Sequence, residues 1–343
     1  MAATGGPSLF LDACRRRPTP RPPVWFMRQA GRYMKDYRDL RAKHSILELA
    51  KTPELACAVT LQPVRRFGFD AAILFSDILL PLEPMGARLR FAPAPVIDNP
   101  VRSARDAARL RPCAPREDLS RVLKAVSLLR RELGRTPLIG FVGAPFTLAS
   151  YLIEGGPSKD FIRTKAFMNS EPDAWAGLMR RLSRMGADYL SAQVEAGCRA
   201  VQVFDSWAGA LSPAQYRGKV LPYSRALIAA AQKSGAPVIH FGTGTAGFLR
   251  DFASAGSDVV GVDWRVDLAQ AFKICPGRAV QGNLDPAVLA GPLPALKKEA
   301  AGILRAGRGR RGFIFNLGHG VLPQTPEANV RAVVELIRRF GRP

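Results

Sequence analysis

Ala200-Val201-Gln202-Val203-Phe204, followed at once by Asp205-Ser206, is a short apolar run that ends in polar residues. A strand buried on both faces reads this way, because neither face alternates with water. The pattern recurs at residues 24–27, 71–75, 138–142, 238–241, 259–262, 279–281 and 313–315. Most of these runs are rich in Val, Ile and Phe and bounded by Gly, Pro, Asp or Asn. Helical patterns lie between them, at residues 119–133, 175–196, 216–233 and 326–340. Asp173 and Thr325 suit helix starts, and Gly134 and Gly235 suit helix stops.

Eight buried strands alternating with helices imply a parallel sheet, and eight is the number that closes a barrel. The expected fold is α/β, a single (β/α)8 TIM-type barrel. Its catalytic domain spans residues 1–343, with a short N-terminal extension over about residues 1–20. A doubly wound sheet would place a glycine-rich phosphate turn after an early strand. Gly242-Thr243-Gly244-Thr245-Ala246-Gly247 has the G-x-G-x-x-G spacing but follows the fifth strand, so its glycines read as room for substrate or a tight turn.

The composition is that of a globular protein, with 47% hydrophobic and 23% charged residues among 343. No apolar run is long enough to span a bilayer. Residues 1–10 lack the basic and apolar regions of a signal peptide, which points to a cytoplasmic protein without membrane insertion. Cys14, Cys57, Cys113, Cys198 and Cys275 are scattered and contain no C-x-x-C, so they read as reduced thiols rather than a disulfide framework or zinc site. The formal charge of +22 fits an anionic partner or substrate, or arginine spread over solvated faces. The densest basic runs, Arg15-Arg16-Arg17 and Arg308-Gly309-Arg310-Arg311, lack the interleaved aromatics that stack single strands.

In a barrel, chemistry sits where the strands end. Arg28, Asp77, Asp205 with Ser206, Gly242, Asp263, Asn283 and His319 all fall there. Arg28-Gln29-Ala30-Gly31-Arg32 puts two guanidinium forks beside a small-residue pair, a pattern suited to carboxylates or phosphates. Its plainer reading is a helix start whose arginines pair with Asp36 or Asp39. Asp77 follows an apolar strand and precedes Ile78-Leu79, so its carboxylate is either a poorly solvated functional group or a buried acid that fixes a loop. His319, between Gly318 and Gly320, reads as a freely positioned ring for acid–base work or anion contact, or as a structural histidine. Tyr151 sits before Gly155-Gly156, in what reads as a flexible loop near the mouth or an ordinary turn. His240, inside an apolar strand, reads as a core group or a support to the site, and His44 as solvated. No metal-ligand spacing and no G-x-S-x-G elbow is present.

Taken together, the segments resemble the uroporphyrinogen decarboxylase family over nearly the whole chain. The resemblance rests on Met27-Arg28-Gln29-Ala30-Gly31-Arg32-Tyr33, Leu61-Gln62-Pro63, Phe75-Ser76-Asp77-Ile78-Leu79 and Gly143-Ala144-Pro145-Phe146-Thr147-Leu148. It continues through Ile153-Glu154-Gly155-Gly156, Phe204-Asp205-Ser206-Trp207-Ala208-Gly209, Gln281-Gly282-Asn283-Leu284-Asp285-Pro286 and Asn316-Leu317-Gly318-His319-Gly320. It implies a (β/α)8 barrel, a homodimer, no cofactor, no metal, and a tetrapyrrole substrate carrying carboxylates. By motif, Arg28, Gln29, Arg32, Asp77, Tyr151, Ser206 and His319 would bind substrate. Asp77, Arg28, Tyr151 and His319 would carry the chemistry, with Asp77 on the pyrrole N–H groups. Two other readings stand beside it: a cobalamin-linked methyltransferase on a related barrel, which needs a zinc ligand cluster, and a basic nucleic-acid-binding protein, motivated only by the net charge.

Overall fold

A computed structural model describes residues 8–340. Residues 1–7, part of the expected N-terminal extension and of the leader reading, lie outside the described residues. Among the described residues the strands are β1 (Ala72–Ile73), β2 (Leu89–Phe91), β3 (Pro95–Ile97), β4 (Leu138–Gly143), β5 (Ala200–Asp205), β6 (Val238–Gly242), β7 (Val259–Gly261), β8 (Ala279–Leu284) and β9 (Phe313–Leu317). Strands β2 and β3 form a separate antiparallel hairpin. The other seven form one parallel sheet in the order β1-β4-β5-β6-β7-β8-β9.

The first expected strand survives as a single bridge. Val24 pairs in parallel with Phe315 of β9. The Phe315 N–H donates to Pro23 O at 2.9 Å and the Trp25 N–H to Phe315 O at 3.4 Å. On the other side, the Asp70 N–H donates to Val24 O at 2.9 Å, and the Val24 N–H donates to Asp70 Oδ2 at 2.8 Å. Residues 23–25 therefore occupy the eighth position between β9 and β1, closing the barrel of TIM type. Prolines 22 and 23 supply no N–H, so a regular ladder cannot extend backwards from Val24. Instead Arg21 clamps Asp70 with two bonds of 2.7 and 2.8 Å across the seam.

The helices follow the expected alternation, with two differences. The pattern at 216–233 breaks into Pro213–Lys219 and Leu221–Gln232. Pro222 cannot donate to a preceding helical carbonyl, so it starts a new helix instead of continuing the old one. Asp173 and Thr325 do not cap: Asp173 lies in the first turn of Pro172–Ala196, and Pro326 precedes Glu327–Arg339. The barrel interior is threaded by amides. Trp25 Nε1 donates to Gln281 Oε1 at 3.0 Å, and Gln281 Nε2 donates to Gln202 Oε1 at 3.1 Å. Toward the mouth an edge-to-face series, Phe141–Phe204–Phe241, has ring centroids 5.5 and 5.9 Å apart and forms an apolar floor. Among the described residues no helix is long and apolar enough to cross a membrane.

Candidate active site

The chain leaves the seam at Val24 and turns sharply. Met27 donates its N–H to Asn316 Oδ1 at 3.1 Å, and Val321 donates to Met27 O at 2.9 Å. These bonds tie the loop after the first barrel position to the loop after the last. Arg28 itself has φ of 55°, a left-handed conformation costing a side-chain-bearing residue roughly 1–2 kcal/mol. The Gln29 N–H to Phe26 O bond at 3.1 Å closes this turn. The Arg28 stem lies on Gly320, where an added Cβ would sit 2.4 Å from Arg28 Cδ. Glycine at position 320 is therefore required for the arginine to pass.

The structure separates the two readings of the Arg28–Arg32 segment. Asp36 is held by Arg66 at 2.6 Å, and Asp39 by Lys35 at 2.7 Å. Among the described residues, neither Arg28 nor Arg32 has a carboxylate within ion-pair distance, and both are exposed. Two unneutralised forks at a barrel mouth attract anions. Gln29 between them is buried, and among the described residues neither atom of its side-chain amide has a partner.

Asp77 follows β1 and accepts the Leu79 N–H at 2.9 Å in a tight turn. Its strand is released early: the Phe75 N–H donates to Thr60 Oγ1 at 2.9 Å rather than to β4. Burial raises the Asp77 pKa above the ordinary value, while the Leu79 N–H and the Arg28 charge pull it back. The carboxylate thus faces a cation it does not touch and has few donors of its own.

Tyr151 is not in a loop. It lies in the last turn of the helix Pro145–Glu154, which begins on Pro145 and stops at Gly155, where φ is 84°. The Glu154 carboxylate then accepts the Thr164 N–H and hydroxyl, both at 2.8 Å, fixing the following segment. The Tyr151 ring stacks on Trp207 with centroids 4.0 Å apart. Burial and the nearby Asp77 charge push its phenol up to about 12, against the pull of Arg28, so it is a neutral donor.

His319 extends the aromatic floor, its ring 6.3 Å from Phe241. Burial and the Arg28 charge lower its pKa to about 4, with Asp263 opposing and Arg265 adding to the fall. It is therefore neutral at pH 7, an N–H donor rather than a cation. Its flanking glycines do not free the ring; they allow close packing. Gly320 admits Arg28, and a Cβ on Gly318 would lie 2.6 Å from the Trp264 N atom.

Arg28, Asp77, Tyr151 and His319 thus share one electrostatic neighbourhood, with Arg28 acting on the other three. Arg32 joins at the edge, where it and Arg28 both act on Tyr37. Ser206 sits part-buried next to Trp207, and its carbonyl accepts the Thr243 hydroxyl. Asp205 and His240 face away from the mouth. Asp205 accepts Thr147 Oγ1 at 3.1 Å, and the His240 ring stacks on Phe252 at 3.9 Å. Two of the 242–247 glycines serve packing: a Cβ on Gly242 would lie 2.8 Å from the Phe252 ring, and one on Gly244, where φ is 68°, would lie 3.2 Å from Gly209 Cα. Sequence reasoning missed the stack of Trp207 on Tyr151 and the rim residues Trp264 and Arg265. An aromatic or arginine one or two residues beyond a strand-end acid was the available signal. Among the described residues, no three His, Cys, Asp or Glu side chains gather as a metal-binding group.

The family described as Uroporphyrinogen decarboxylase (URO-D) matches residues 6–340. The chain belongs to that family. A uroporphyrinogen decarboxylase of Solibacter usitatus is 53% identical over 337 residues, 97% of each chain. One from Thermus thermophilus is 53% identical over 335 residues, covering 97% of this chain and 98% of that one. Among solved structures, a methyltransferase from Methanosarcina mazei superposes with a TM-score of 0.78 at 21% identity, covering 97% of this chain and 98% of that one. That likeness shows a shared barrel fold alone. The family and its curated relatives favour the decarboxylase reading over the methyltransferase and nucleic-acid readings.

Proposed function

We propose that the chain removes CO2 in turn from the four acetate arms of uroporphyrinogen III, giving coproporphyrinogen III without a cofactor. One observation carries the reading: among the described residues Arg28 and Arg32 have no acid partner, and the Arg28 charge acts on the part-buried Asp77 at the barrel mouth. The identity of 53% to named decarboxylases over 97% of the chain supports it.

Loss of CO2 leaves an electron pair on the arm's methylene carbon. Many decarboxylases place such a pair in a bound cofactor. A pyrrole supplies its own sink once a ring carbon beside the arm is protonated. The ring becomes an iminium cation, the C–CO2 bond breaks, and its electrons neutralise that cation. Protonation of the exocyclic methylene then forms the methyl group, and the ring proton is lost. Each cycle consumes one proton and releases one CO2. Asp77 meets the pyrrole N–H groups, and its charge stabilises the cation far more strongly in this apolar setting than in water. Arg28 and Arg32 clamp the remaining carboxylates, with Gln29, Ser206, Tyr151 and His319 as neutral donors. A guanidinium holds carboxylates as a hydrogen-bond donor and is not itself an acid, so a proton delivered at this end of the site passes through water.

The same reading includes a homodimer in the cytoplasm and one barrel domain spanning residues 1–343, with its short N-terminal extension. It includes no membrane insertion and no specific nucleic-acid partner. Anaerobic incubation with uroporphyrinogen III and no added cofactor, followed by mass analysis, tests it. Four successive losses of CO2 are expected; an unaltered substrate would overturn it.

A further inference from the structure

The loop after β7 carries another arginine that the mechanism leaves unused. Arg265 lies two residues past the strand-end acid Asp263. Its Nη1 donates to Asp263 Oδ2 at 2.6 Å, and its guanidinium lies over the Trp264 ring, 4.4 Å from the centroid. Asp263 is buried and also accepts the Gly244 N–H at 2.7 Å and the Arg265 N–H at 3.1 Å. The loops after β6 and β7 are thereby locked together beneath the arginine. Gly318 fixes them against the histidine loop: a Cβ there would lie 3.0 Å from Asp263 Cα. The guanidinium is thus held on two sides before any ligand arrives, so little side-chain freedom remains to be lost on binding.

Its donors are nevertheless free. Of the five N–H groups on the fork, one is engaged, and among the described residues no other acceptor takes the rest. The Arg265 side chain is 52% exposed although its partner is buried. The adjacent Trp264 is 37% exposed, one of few large apolar side chains at the surface. The Arg265 charge also reaches His319, where it adds to the depression of the ring's basicity.

We propose that Arg265 is a further substrate-binding residue, a preset rim cation that grips a peripheral carboxylate of the tetrapyrrole on the His319 side of the mouth. This rests on the functional reading above. A bidentate bond to a half-exposed fork is worth roughly a 3- to 10-fold change in affinity. Arg265→Gln should therefore raise KM for uroporphyrinogen by that factor and change kcat by less than about twofold. It should weaken binding of uroporphyrin, the oxidised and unreactive octacarboxylate, by the same factor. Arg265→Lys keeps the charge but loses the fork and the stack, so its KM should fall between the two. It also keeps a cation beside Asp263 if the Gln variant folds poorly.

An active protein whose KM and uroporphyrin affinity are unaltered in both variants would overturn the assignment and leave the functional reading intact. If the unaltered protein neither turns over uroporphyrinogen nor binds uroporphyrin, the functional reading fails first and the assignment falls with it.

Discussion

Asp77 and Asp263 are both carboxylates just past a barrel strand, one after β1 and the other after β7. Asp263 is saturated, with three donors within 3.1 Å including the Arg265 fork. Asp77 has one backbone donor and no ion pair among the described residues. Burial raises the Asp77 pKa, the mark of a charge the protein has not fully compensated. One acid holds loops together. The other is left short of donors at the mouth, where a ligand's N–H groups can complete its shell.

The comparison breaks most sharply at Asp77. Asp77→Asn should cut decarboxylation by about 100- to 1000-fold, the scale of a lost electrostatic stabiliser. It should leave the thermal midpoint equal or higher at neutral pH, because a neutral amide there removes the burial penalty. For Asp263→Asn the opposite holds. The amide oxygen can take the Oδ2 place and keep the Gly244 N–H and the Arg265 fork, but its NH2 group then faces the Arg265 backbone N–H, costing about 1–3 kcal/mol, read as a lowered denaturation midpoint. Equal destabilisation by both substitutions would erase the distinction drawn between the two acids.

A smaller effect tests the neutral state of His319. Its folded pKa of about 4 lies below the ordinary value of 6.5, so the unfolded chain binds the proton first as pH falls. Stability from this group is complete above pH 6.5 and declines as pH falls toward 4. His319→Gln should flatten that decline by about 1 kcal/mol between pH 7 and 5.5, seen in denaturant midpoints at both values. An unchanged slope would mean that the ring titrates normally and meets anions as a cation.

Much of the barrel was legible because burial on both faces leaves a plain apolar run, as at β5 and β9. Residues 24–27 were legible as a barrel position but not as a single bridge, since that depends on how Pro22, Pro23 and Asp70 share the seam. Asp39 could have been assigned to Lys35 from its spacing of four. That Arg66 takes Asp36 could not, because the partner comes from a different helix. The freedom of Arg28 and Arg32 is therefore a tertiary fact. Tyr151 was misplaced because Gly155-Gly156 reads as a loop, although Pro145 and Gly155 bracket a ten-residue helix. The glycines around His319 were visible, but their function as contact surfaces for Arg28 and Trp264 was not.

The most direct test of the account is the titration of Asp77 itself. Selective carbon-13 labelling of aspartate carboxyls, with Asp77→Asn to assign the signal, gives its pKa in the free protein. The same measurement is then made with coproporphyrinogen III bound anaerobically, whose pyrrole N–H groups match those of the substrate. The account predicts a free-state pKa above the ordinary 3.8 and a fall on binding, as the donors the carboxylate lacks arrive. An ordinary value that does not move on binding would contradict it.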